Sequence, residues 1–444
     1  MLSNEKNSET TLKTQIDNWL NAAKSGNFNQ LKEMISEGMN INITGGKYKY
    51  SALMIASENG HEKIVKWLIN EGASIDIRDN WKKTALMIAA QHGHINIVKL
   101  LLNAGAEVDA KDNYGRTALI IAIEEVEYEN LNIEIIKILI NTRANVNTKD
   151  GHKKTALMFA SRKGHLDIAK LLVENGAEIN ATDMHKKTAL MFATDNKHEK
   201  LVEFLVDKGA DINVKDENGK TALMIASKNK NTSIVKLLVN AGAKINEKDK
   251  DKKTSLILAS EIGCFTIIKY LVEKGADVNA TDMYKKTALM IASNNKHKEL
   301  VKFLVDKVAD VNAKDEKEKT ALLIASKNRN TTIVKLLVNA GARINEKDKD
   351  KKTSLMFASQ IGCYTVIKYL VEKGAEINAK DKDKKTALMY ASKKGNLKIV
   401  DLLANSGADI YATDMYNKTA LIYASENNHL DVAKFLEEKM KKTN

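Results

Sequence analysis

Histidine is the residue type in this chain with the clearest potential for chemistry, since a neutral imidazole binds zinc and also serves as a general acid or base. Six of the nine histidines occupy one recurring place, directly after a Gly, Lys or Asn that follows a short apolar segment: His61, His94, His165, His198, His297 and His429. A tetrahedral zinc site needs ligands that converge on one point, whereas these residues are distributed one per sequence repeat. We therefore predict structural histidines and no metal site.

The thiols offer a second chemistry, as nucleophiles or as disulfide partners. Cys264 and Cys363 are the only cysteines, and they lie in two similar segments, SEIGCFT and SQIGCYT. Three repeats separate them, and helices stacked about 8–10 Å apart would hold them beyond the roughly 7 Å between Cα atoms that a disulfide allows. The chain has no P-loop, no G-x-S-x-G motif and no local Cys–His pair. We therefore predict free thiols, no catalytic residues, no cofactor and no enzyme activity.

These residues recur because the whole chain is periodic. A threonine stands at the same place in successive units that are 33 residues apart, except for one gap of 38: Thr84, Thr117, Thr155, Thr188, Thr221, Thr254, Thr287, Thr320, Thr353, Thr386 and Thr419. Ser51 extends the series by one unit. A period of this length indicates a repeat architecture, so it is interpreted before any local motif.

One unit illustrates the elements that the period predicts. The segment TALMIAAQHGH suits a short helix packed on both sides, with Thr84 as its N-cap and Gly93 as a left-handed stop. The segment INIVKLLLN predicts a second helix, which Gly105 ends. The remainder, AEVDAKDNYGR, predicts an extended finger with a turn. Because neither helix is long enough to be stable alone, neighbouring units must cover each other's apolar faces.

These units resemble ankyrin repeats, whose pattern is D-x-x-G-x-T-P-L-H-x-A-A-x-x-G-H followed by I-V-x-x-L-L-x-x-G-A-x-V. One unit matches this pattern at Asp79, Thr84, Leu86, Ala89, Ala90, Gly93, His94, Val98, Leu101, Leu102, Gly105, Ala106 and Val108. The match recurs from about Lys47 to the C-terminus and follows one degenerate unit, which gives about 13 repeats. The resemblance implies an all-α repeat solenoid, with stacked helix-turn-helix repeats and β-hairpin-like fingers in one elongated curved domain.

The expected organisation has four parts. These are a flexible N-terminal segment (1–12), a degenerate N-terminal capping repeat (13–46), the ankyrin array (47–418) and a C-terminal capping repeat (419–444). Within the array, residues 188–286 and 287–385 are near-copies, which indicates that a block of three repeats was duplicated. We expect both ends to be capped by polar repeats, because a terminal unit has no neighbour on one side.

The 38-residue unit contains five extra residues near 124–131. Glu124, Glu125, Glu127 and Glu129 make this insertion the one acidic protrusion of the chain. We expect a solvated loop, because insertions in repeats usually lie in loops. A docking point for a basic partner is the alternative, since blocks of charge often are interaction segments.

The family's T-P-L-H appears here as T-A-L-M. Methionine stands in place of the histidine at Met54, Met87, Met158, Met191, Met224, Met290, Met356 and Met389. A flexible thioether fills irregular gaps between helices, so we predict a buried apolar stripe between repeats. A methionine-rich metal or oxidation-sensing site is the alternative, but the methionines are one repeat apart.

Several glycines of the family pattern are also replaced. Lysine stands at the turn of the finger at Lys82, Lys153, Lys186, Lys252, Lys285, Lys351 and Lys384. Val308 and Arg143 stand where the family has the glycine after the second helix. A left-handed backbone costs such residues about 1 kcal/mol each, and a β-branched side chain is least suited to it. We therefore predict that the array is locally weak near Val308.

The resemblance also implies where a partner would bind, namely the concave face formed by finger tips and first helices. Five consecutive repeats carry a ring at the second tip position: Tyr48, Trp81, Tyr114, His152 and His185. Exposed Trp and Tyr side chains form strong binding contacts, so we predict the principal partner surface here. The alternative is that each ring only packs against the next finger. Arg162 and Lys163, at the end of a first helix, would add an electropositive rim.

The net charge of +13 raises the alternative of a binder of nucleic acid or anionic membranes. Arginine, the favoured residue for bidentate phosphate contacts, is scarce relative to lysine, so we expect no nucleic-acid partner. The apolar runs are too short and too interrupted to span a membrane, and MLSNEKNSETTLKTQ lacks the apolar core of a secretory signal. We expect a cytoplasmic monomer that acts as a non-enzymatic scaffold or adaptor for a protein partner. The alternatives are a host-directed effector exported by a non-classical route and an electrostatic binder.

Overall fold

A computed structural model of the chain describes the backbone of residues 2–124 and 129–443 and the side chains of residues 11–124 and 133–442. Glu125 and Glu127 of the predicted acidic insertion lie outside the described residues. The chain divides into two compact units, Met1–Glu217 (unit 1) and Asn218–Asn444 (unit 2). Each unit is a series of helix pairs.

Unit 1 contains twelve described helices and one short β-hairpin. The hairpin strands are β1 (Thr44–Gly45) and β2 (Tyr50–Ser51), paired antiparallel. The helices are α1 (Leu2–Ser25), α2 (Phe28–Ser36), α3 (Ala52–Glu58), α4 (Glu62–Asn70), α5 (Ala85–Gln91), α6 (Ile95–Asn103), α7 (Ala118–Glu124), α8 (Glu129–Asn141), α9 (Ala156–Lys163), α10 (Leu166–Glu174), α11 (Ala189–Asp195) and α12 (Glu199–Asp207).

Unit 2 continues the alternation of short first helices and longer second helices. Its described helices are α13 (Ala222–Lys228), α14 (Thr232–Asn240), α15 (Ser255–Glu261), α16 (Phe265–Glu273), α17 (Ala288–Asn294), α18 (Lys298–Asp306), α19 (Ala321–Lys327), α20 (Thr331–Asn339), α21 (Ser354–Ile361), α22 (Tyr364–Glu372), α23 (Ala387–Lys393), α24 (Leu397–Asn405), α25 (Ala420–Glu426) and α26 (Leu430–Thr443).

Helix contacts within each unit run between sequence-adjacent repeats. First helices form one row, in which α3 packs on α5 and α5 on α7, and second helices form another, in which α4 packs on α6. Unit 2 has two rows of its own, which run from α13 to α25 and from α14 to α26. The predicted all-α repeat solenoid is therefore confirmed.

Each first helix begins one residue after its predicted N-cap. The Thr84 side chain accepts a hydrogen bond from the backbone N–H of Met87 at 3.3 Å, which satisfies one of the free donors of the first turn. Thr155 has the same extended backbone but makes no capping hydrogen bond, and its hydroxyl is buried without a partner. The predicted capping role of Thr84 is therefore confirmed, and Thr155 does not share it.

The core lies between the two helix rows and between neighbouring repeats. In one repeat Leu86, Met87 and Ala89 from the first helix and Val98 and Leu101 from the second are buried. All eight methionines of the predicted stripe are at most 2% exposed: Met54, Met87, Met158, Met191, Met224, Met290, Met356 and Met389. The stripe is therefore core, as predicted.

The replaced glycines keep the left-handed backbone of the family. The seven turn lysines have φ between 57° and 61°. Arg143 and Val308 have φ of 66° and 62°, and the Val308 side chain is 83% exposed. Many non-glycine residues of this chain therefore adopt the left-handed backbone conformation, and the turn type does not change.

The N-terminal helix α1 starts at Leu2, inside the predicted segment 1–12, and packs against α3 and β1. Trp19 of α1 is fully buried. A Cβ atom on Gly45 would lie 2.4 Å from Cγ2 of Ile16, so only glycine permits this approach of the hairpin to α1.

Candidate partner-binding surface

The finger tips are built by a turn that an aspartate organises. Asp79 Oδ1 accepts hydrogen bonds from the backbone N–H groups of Trp81 and Lys83, at 2.8 and 2.7 Å, while Lys82 adopts the left-handed conformation between them. Burial raises the pKa of Asp79, and the two backbone N–H donors partly oppose that shift. The same pair of N–H bonds is made by Asp112, Asp150, Asp183, Asp282, Asp315, Asp348, Asp381 and Asp414.

Backbone hydrogen bonds connect successive tips. The N–H of Asn80 donates to the carbonyl of Tyr48 at 3.0 Å, and the N–H of Asn113 donates to the carbonyl of Trp81 at 2.8 Å. The carbonyls of Tyr114, His152 and His185 accept in the same way from the following finger. All five predicted tip residues therefore lie on one hydrogen-bonded ladder within unit 1.

The side chains on this ladder do not form one continuous stack. The rings of Tyr48 and Trp81 lie 4.5 Å apart between centroids and are tilted by 36°. Tyr114 instead faces the guanidinium of Arg116, 5.1 Å from its ring centroid. Tyr48 and Trp81 are each 37% exposed and Tyr114 is 58% exposed. Tyr48 and Trp81 therefore pack against each other and remain partly exposed, and the partner surface stays a prediction.

The two histidines of the predicted set contact the next finger. His152 Nδ1 lies 3.2 Å from Sδ of Met184. His185 Nδ1 lies 2.9 Å from Oε1 of Glu217. A partner would have to compete with Met184 or Glu217 for these imidazoles. The repeat spacing in the sequence does not reveal these two contacts.

The predicted electropositive rim is partly neutralised. Arg162 Nη2 lies 3.2 Å from Oε1 of Glu124, and Arg116 Nη1 lies 2.7 Å from Oε2 of the same carboxylate. Glu124 therefore belongs to an ion-pair network and not to a free acidic protrusion. Lys163 is exposed at the end of α9.

The recurring histidines lie at the junctions between repeats. His94 Nε2 donates to the Glu58 carbonyl at 2.9 Å, and the equivalent bonds run from His61 to Lys24, from His198 to Arg162 and from His429 to Lys393. Among the described residues, no group of His, Cys, Asp or Glu is arranged to hold a metal ion. The structural role predicted for the histidines is confirmed at these four junctions.

Near the end of unit 2, two tyrosines bind the finger aspartates. The Tyr423 hydroxyl donates to Asp414 Oδ2 at 2.6 Å, and the Tyr390 hydroxyl donates to Asp381 Oδ2 at 2.5 Å. Burial and the neighbouring carboxylates raise the pKa of both tyrosines well above the usual range. The pKa of Asp414 lies below its ordinary value. Burial acts to raise this pKa, but the hydrogen bonds from Tyr423 and from two backbone N–H groups outweigh burial.

Comparison with protein families identifies the architecture. A family model described as ankyrin repeats (3 copies) matches overlapping segments from residue 19 to residue 444: 19–79, 64–150, 104–183, 126–216, 190–282, 242–315, 289–381 and 355–444. This chain belongs to the ankyrin-repeat family. Comparison with curated proteins gives no match. Ankyrin repeats are generally protein–protein interaction modules and are typically non-catalytic.

Two further findings concern the helices and the cysteines of this chain. No helix in the described part of this ankyrin chain is both long and apolar enough to cross a membrane. Cys264 and Cys363 are free, as predicted.

One surface of the ankyrin array was missed by the sequence analysis. In unit 2, a cleft of about 600 Å³ lies where the finger tips meet the first helices, and its walls include Tyr284, Lys286, Lys319 and Phe357. The available signal was a lysine or arginine directly before every capping threonine from Thr84 onward. That signal was uninformative alone, because the sequence does not reveal which of these cations meet a carboxylate.

Proposed function

We propose that this ankyrin-repeat protein is a non-enzymatic adaptor that binds a protein partner on its finger face, the surface formed by finger tips and first helices. Tyr48 and Trp81 are its principal anchor in unit 1, and Tyr114 extends the contact. His152, His185, Arg162 and Lys163 lie at its periphery. The observation that carries the proposal is the Tyr48–Trp81 pair, whose rings pack 4.5 Å apart and remain exposed on a hydrogen-bonded ladder.

The physical argument is one of preorganisation. Stacked rings on a fixed backbone lose little conformational entropy when a partner covers them, and Trp and Tyr supply large contact areas. The Trp81 tip is held from three sides, by the buried Asp79, by the backbone bonds to the neighbouring tips and by the left-handed Lys82. A partner would therefore meet a surface that needs little rearrangement.

The test replaces the three aromatic tips together. Partners are first identified by affinity capture with the full chain, and each one is then purified and titrated. We expect the variant Tyr48→Ser/Trp81→Ser/Tyr114→Ser to bind such a partner at least tenfold more weakly, since residues of this kind contribute about 2 kcal/mol or more at binding hot spots.

A matched control uses exposed apolar residues away from the finger face. Phe265, Tyr364 and Leu430 are each the first residue of a second helix, and all three are exposed. The variant Phe265→Ser/Tyr364→Ser/Leu430→Ser should leave the affinity within about twofold. Unchanged binding by the tip variant, or equal losses in both variants, would sink the proposal.

A further inference from the structure

The cleft in unit 2 extends over four successive repeats. Lys253 and Glu261 line one end and Phe357 lines the other, with residues of the two intervening repeats between them. Its walls come from finger tips and first helices, so it is part of the finger face. Tyr284 stands at its rim and is half exposed.

The lysines before the capping threonines differ in their partners along this unit. Toward the ends of the unit, Lys253 Nζ binds Glu261 at 2.7 Å, Lys385 Nζ binds Asp383 at 3.2 Å and Lys418 Nζ binds Glu426 at 2.7 Å.

Three consecutive lysines between these pairs contact rings instead. Lys286 Nζ lies 5.7 Å from the Tyr284 ring centroid and Lys319 Nζ lies 5.7 Å from that of Phe357. Lys352 Nζ lies 5.9 Å from the Phe357 ring centroid and 5.2 Å from that of Tyr390. Within the described part of the chain, none of the three forms an ion pair with a carboxylate.

The walls carry five lysines and four carboxylates, and three of the carboxylates already have partners in the protein. Asp282 and Asp315 are buried and accept the backbone N–H bonds of their own turns. Glu261 is bound to Lys253. Glu316 is the remaining exposed carboxylate, whereas Lys317 and Lys327 add two further exposed cations to the walls. The cleft therefore favours an anionic occupant.

The spacing of the three lysines selects the conformation of that occupant. Stacked helices lie about 8–10 Å apart, so equivalent lysines recur at about that interval. A polyproline II segment has three residues per turn and rises about 3.1 Å per residue, so its residues i, i+3 and i+6 share one face about 9.3 Å apart. In a β-strand, residues i and i+3 point to opposite faces. An α-helix presents the same face about every seven residues, or about 10.5 Å, which exceeds that interval.

We propose that the cleft binds an extended acidic segment of a protein partner in the polyproline II conformation. A carboxylate at every third residue would lie opposite Lys286 and Lys319 in the walls and opposite Lys352, which faces Phe357 at the end of the cleft. This proposal rests on the adaptor function and names the chemistry of one partner segment. Glu316 in the cleft wall disfavours a continuous phosphate backbone, because it would repel phosphates that bind between the lysines.

The test measures binding of a fluorescent 12-residue peptide of Glu-Pro-Ala triplets to the full chain by anisotropy at low salt. We expect saturable binding that the variant Lys286→Gln/Lys319→Gln/Lys352→Gln weakens by about tenfold, since three partly exposed ion pairs are lost. The control Lys220→Gln/Lys385→Gln/Lys418→Gln changes the same repeat position and the same net charge at residues outside the cleft walls. We expect it to weaken binding less than threefold. Circular dichroism establishes that both variants are folded, and Lys319→Gln alone provides the comparison if the triple variant is not.

Competing occupants are separate arms of the same experiment. Four other probes should all bind more weakly than the triplet peptide. They are a peptide of equal composition with its glutamates adjacent, a helical peptide with Glu every seventh residue, a single-stranded oligonucleotide and anionic vesicles. Equal losses in the two triple variants, or tighter binding of any of these probes, would overturn the proposal. The Tyr48→Ser/Trp81→Ser/Tyr114→Ser variant should bind the triplet peptide normally, so failure of this inference is distinguishable from failure of the adaptor function.

Discussion

The imidazole ring of His297 covers Gly263 of the preceding repeat so closely that a Cβ atom on Gly263 would lie 2.5 Å from Nε2. The same arrangement joins Gly60 to His94, Gly164 to His198 and Gly395 to His429. Where Lys or Arg replaces this glycine, the next repeat has Asn or Cys instead of His, as in Lys197–Asn231, Lys230–Cys264, Lys296–Asn330 and Arg329–Cys363. At these positions a histidine follows a glycine one repeat earlier, except at His165, whose preceding repeat carries the insertion and has no glycine at this place.

The duplicated block provides an internal control for this relationship. Gly362 is the equivalent of Gly263, but the next repeat carries Asn396, whose side chain would lie 3.5 Å from an added Cβ. Both glycines are left-handed, with φ of 67° and 72°, so Gly263→Ala and Gly362→Ala should share a backbone cost of about 1 kcal/mol. Gly263→Ala should cost about 1–3 kcal/mol more, through the overlap with the ring.

Urea unfolding measures this difference. Adding His297→Asn to Gly263→Ala should restore most of the additional stability that Gly263→Ala loses relative to Gly362→Ala, because the smaller side chain leaves room for the methyl group. If the two single variants unfold at the same urea concentration, the His–Gly contact does not restrict the backbone as described.

Val308 should destabilise its own repeat. A β-branched residue at φ 62° with an 83% exposed side chain gains little from packing and retains the left-handed strain. We expect Val308→Gly to raise the free energy of unfolding by about 1 kcal/mol, as a left-handed Cβ costs about 1–2 kcal/mol. Val308→Ala keeps the Cβ atom and should gain clearly less.

Native-state amide exchange provides the local measurement for Val308. Amides flanking this residue should exchange faster than those flanking Gly275 and Gly341 in the adjacent repeats, and Val308→Gly should remove the difference. Slower exchange at Val308 in the native chain would contradict the prediction.

The Tyr423–Asp414 contact should make unit 2 sensitive to alkaline pH. The pKa of Tyr423 is raised in the folded chain by burial and by Asp414, so its contribution is present below the unfolded value of about 10 and is lost as pH rises above it. At neutral pH, Tyr423→Phe should cost about 1–3 kcal/mol, because it leaves a buried carboxylate oxygen unpaired.

Two measurements check the tyrosine. Chemical unfolding at pH 7 and at about pH 10.5 should show a smaller loss of stability with pH in Tyr423→Phe than in the native chain. Tyr416, 64% exposed at a finger tip, supplies the control, and Tyr416→Phe should change stability by less than about 0.5 kcal/mol. An unchanged alkaline slope in Tyr423→Phe would refute the assignment.

Arg116 should be irreplaceable by lysine. Its guanidinium binds Asp112 Oδ2 at 2.9 Å and Glu124 Oε2 at 2.7 Å, and the Asp112 side chain is fully buried. A lysine cannot reproduce this two-sided geometry, so Arg116→Lys should cost about 1–3 kcal/mol. Arg78→Lys, at an exposed pair with Glu107, should cost less than about 0.5 kcal/mol. If Arg116→Lys and Arg78→Lys lower the stability equally in thermal unfolding, the ion-pair network of Arg116 adds nothing to the stability of the chain.

The repeat period and the elements of each repeat could be predicted from sequence because their causes are local. Thr84 caps a helix that begins at the next residue, Gly93 ends it in the left-handed region, and apolar spacing defines the second helix. Contacts between helices then follow from the period, since each repeat packs on its sequence neighbour. The burial of Met87 and its equivalents follows from the same pattern.

Only the tertiary structure decided which side chains of the finger face remain available. Trp81 stacks on Tyr48 while Tyr114 faces Arg116, and Lys253 meets Glu261 while Lys286 faces Tyr284. These choices depend on how far each side chain reaches across the junction between a finger and a first helix. The repeat pattern assigns equivalent positions to all of these residues, so their different partners emerge only when the neighbouring repeats are packed.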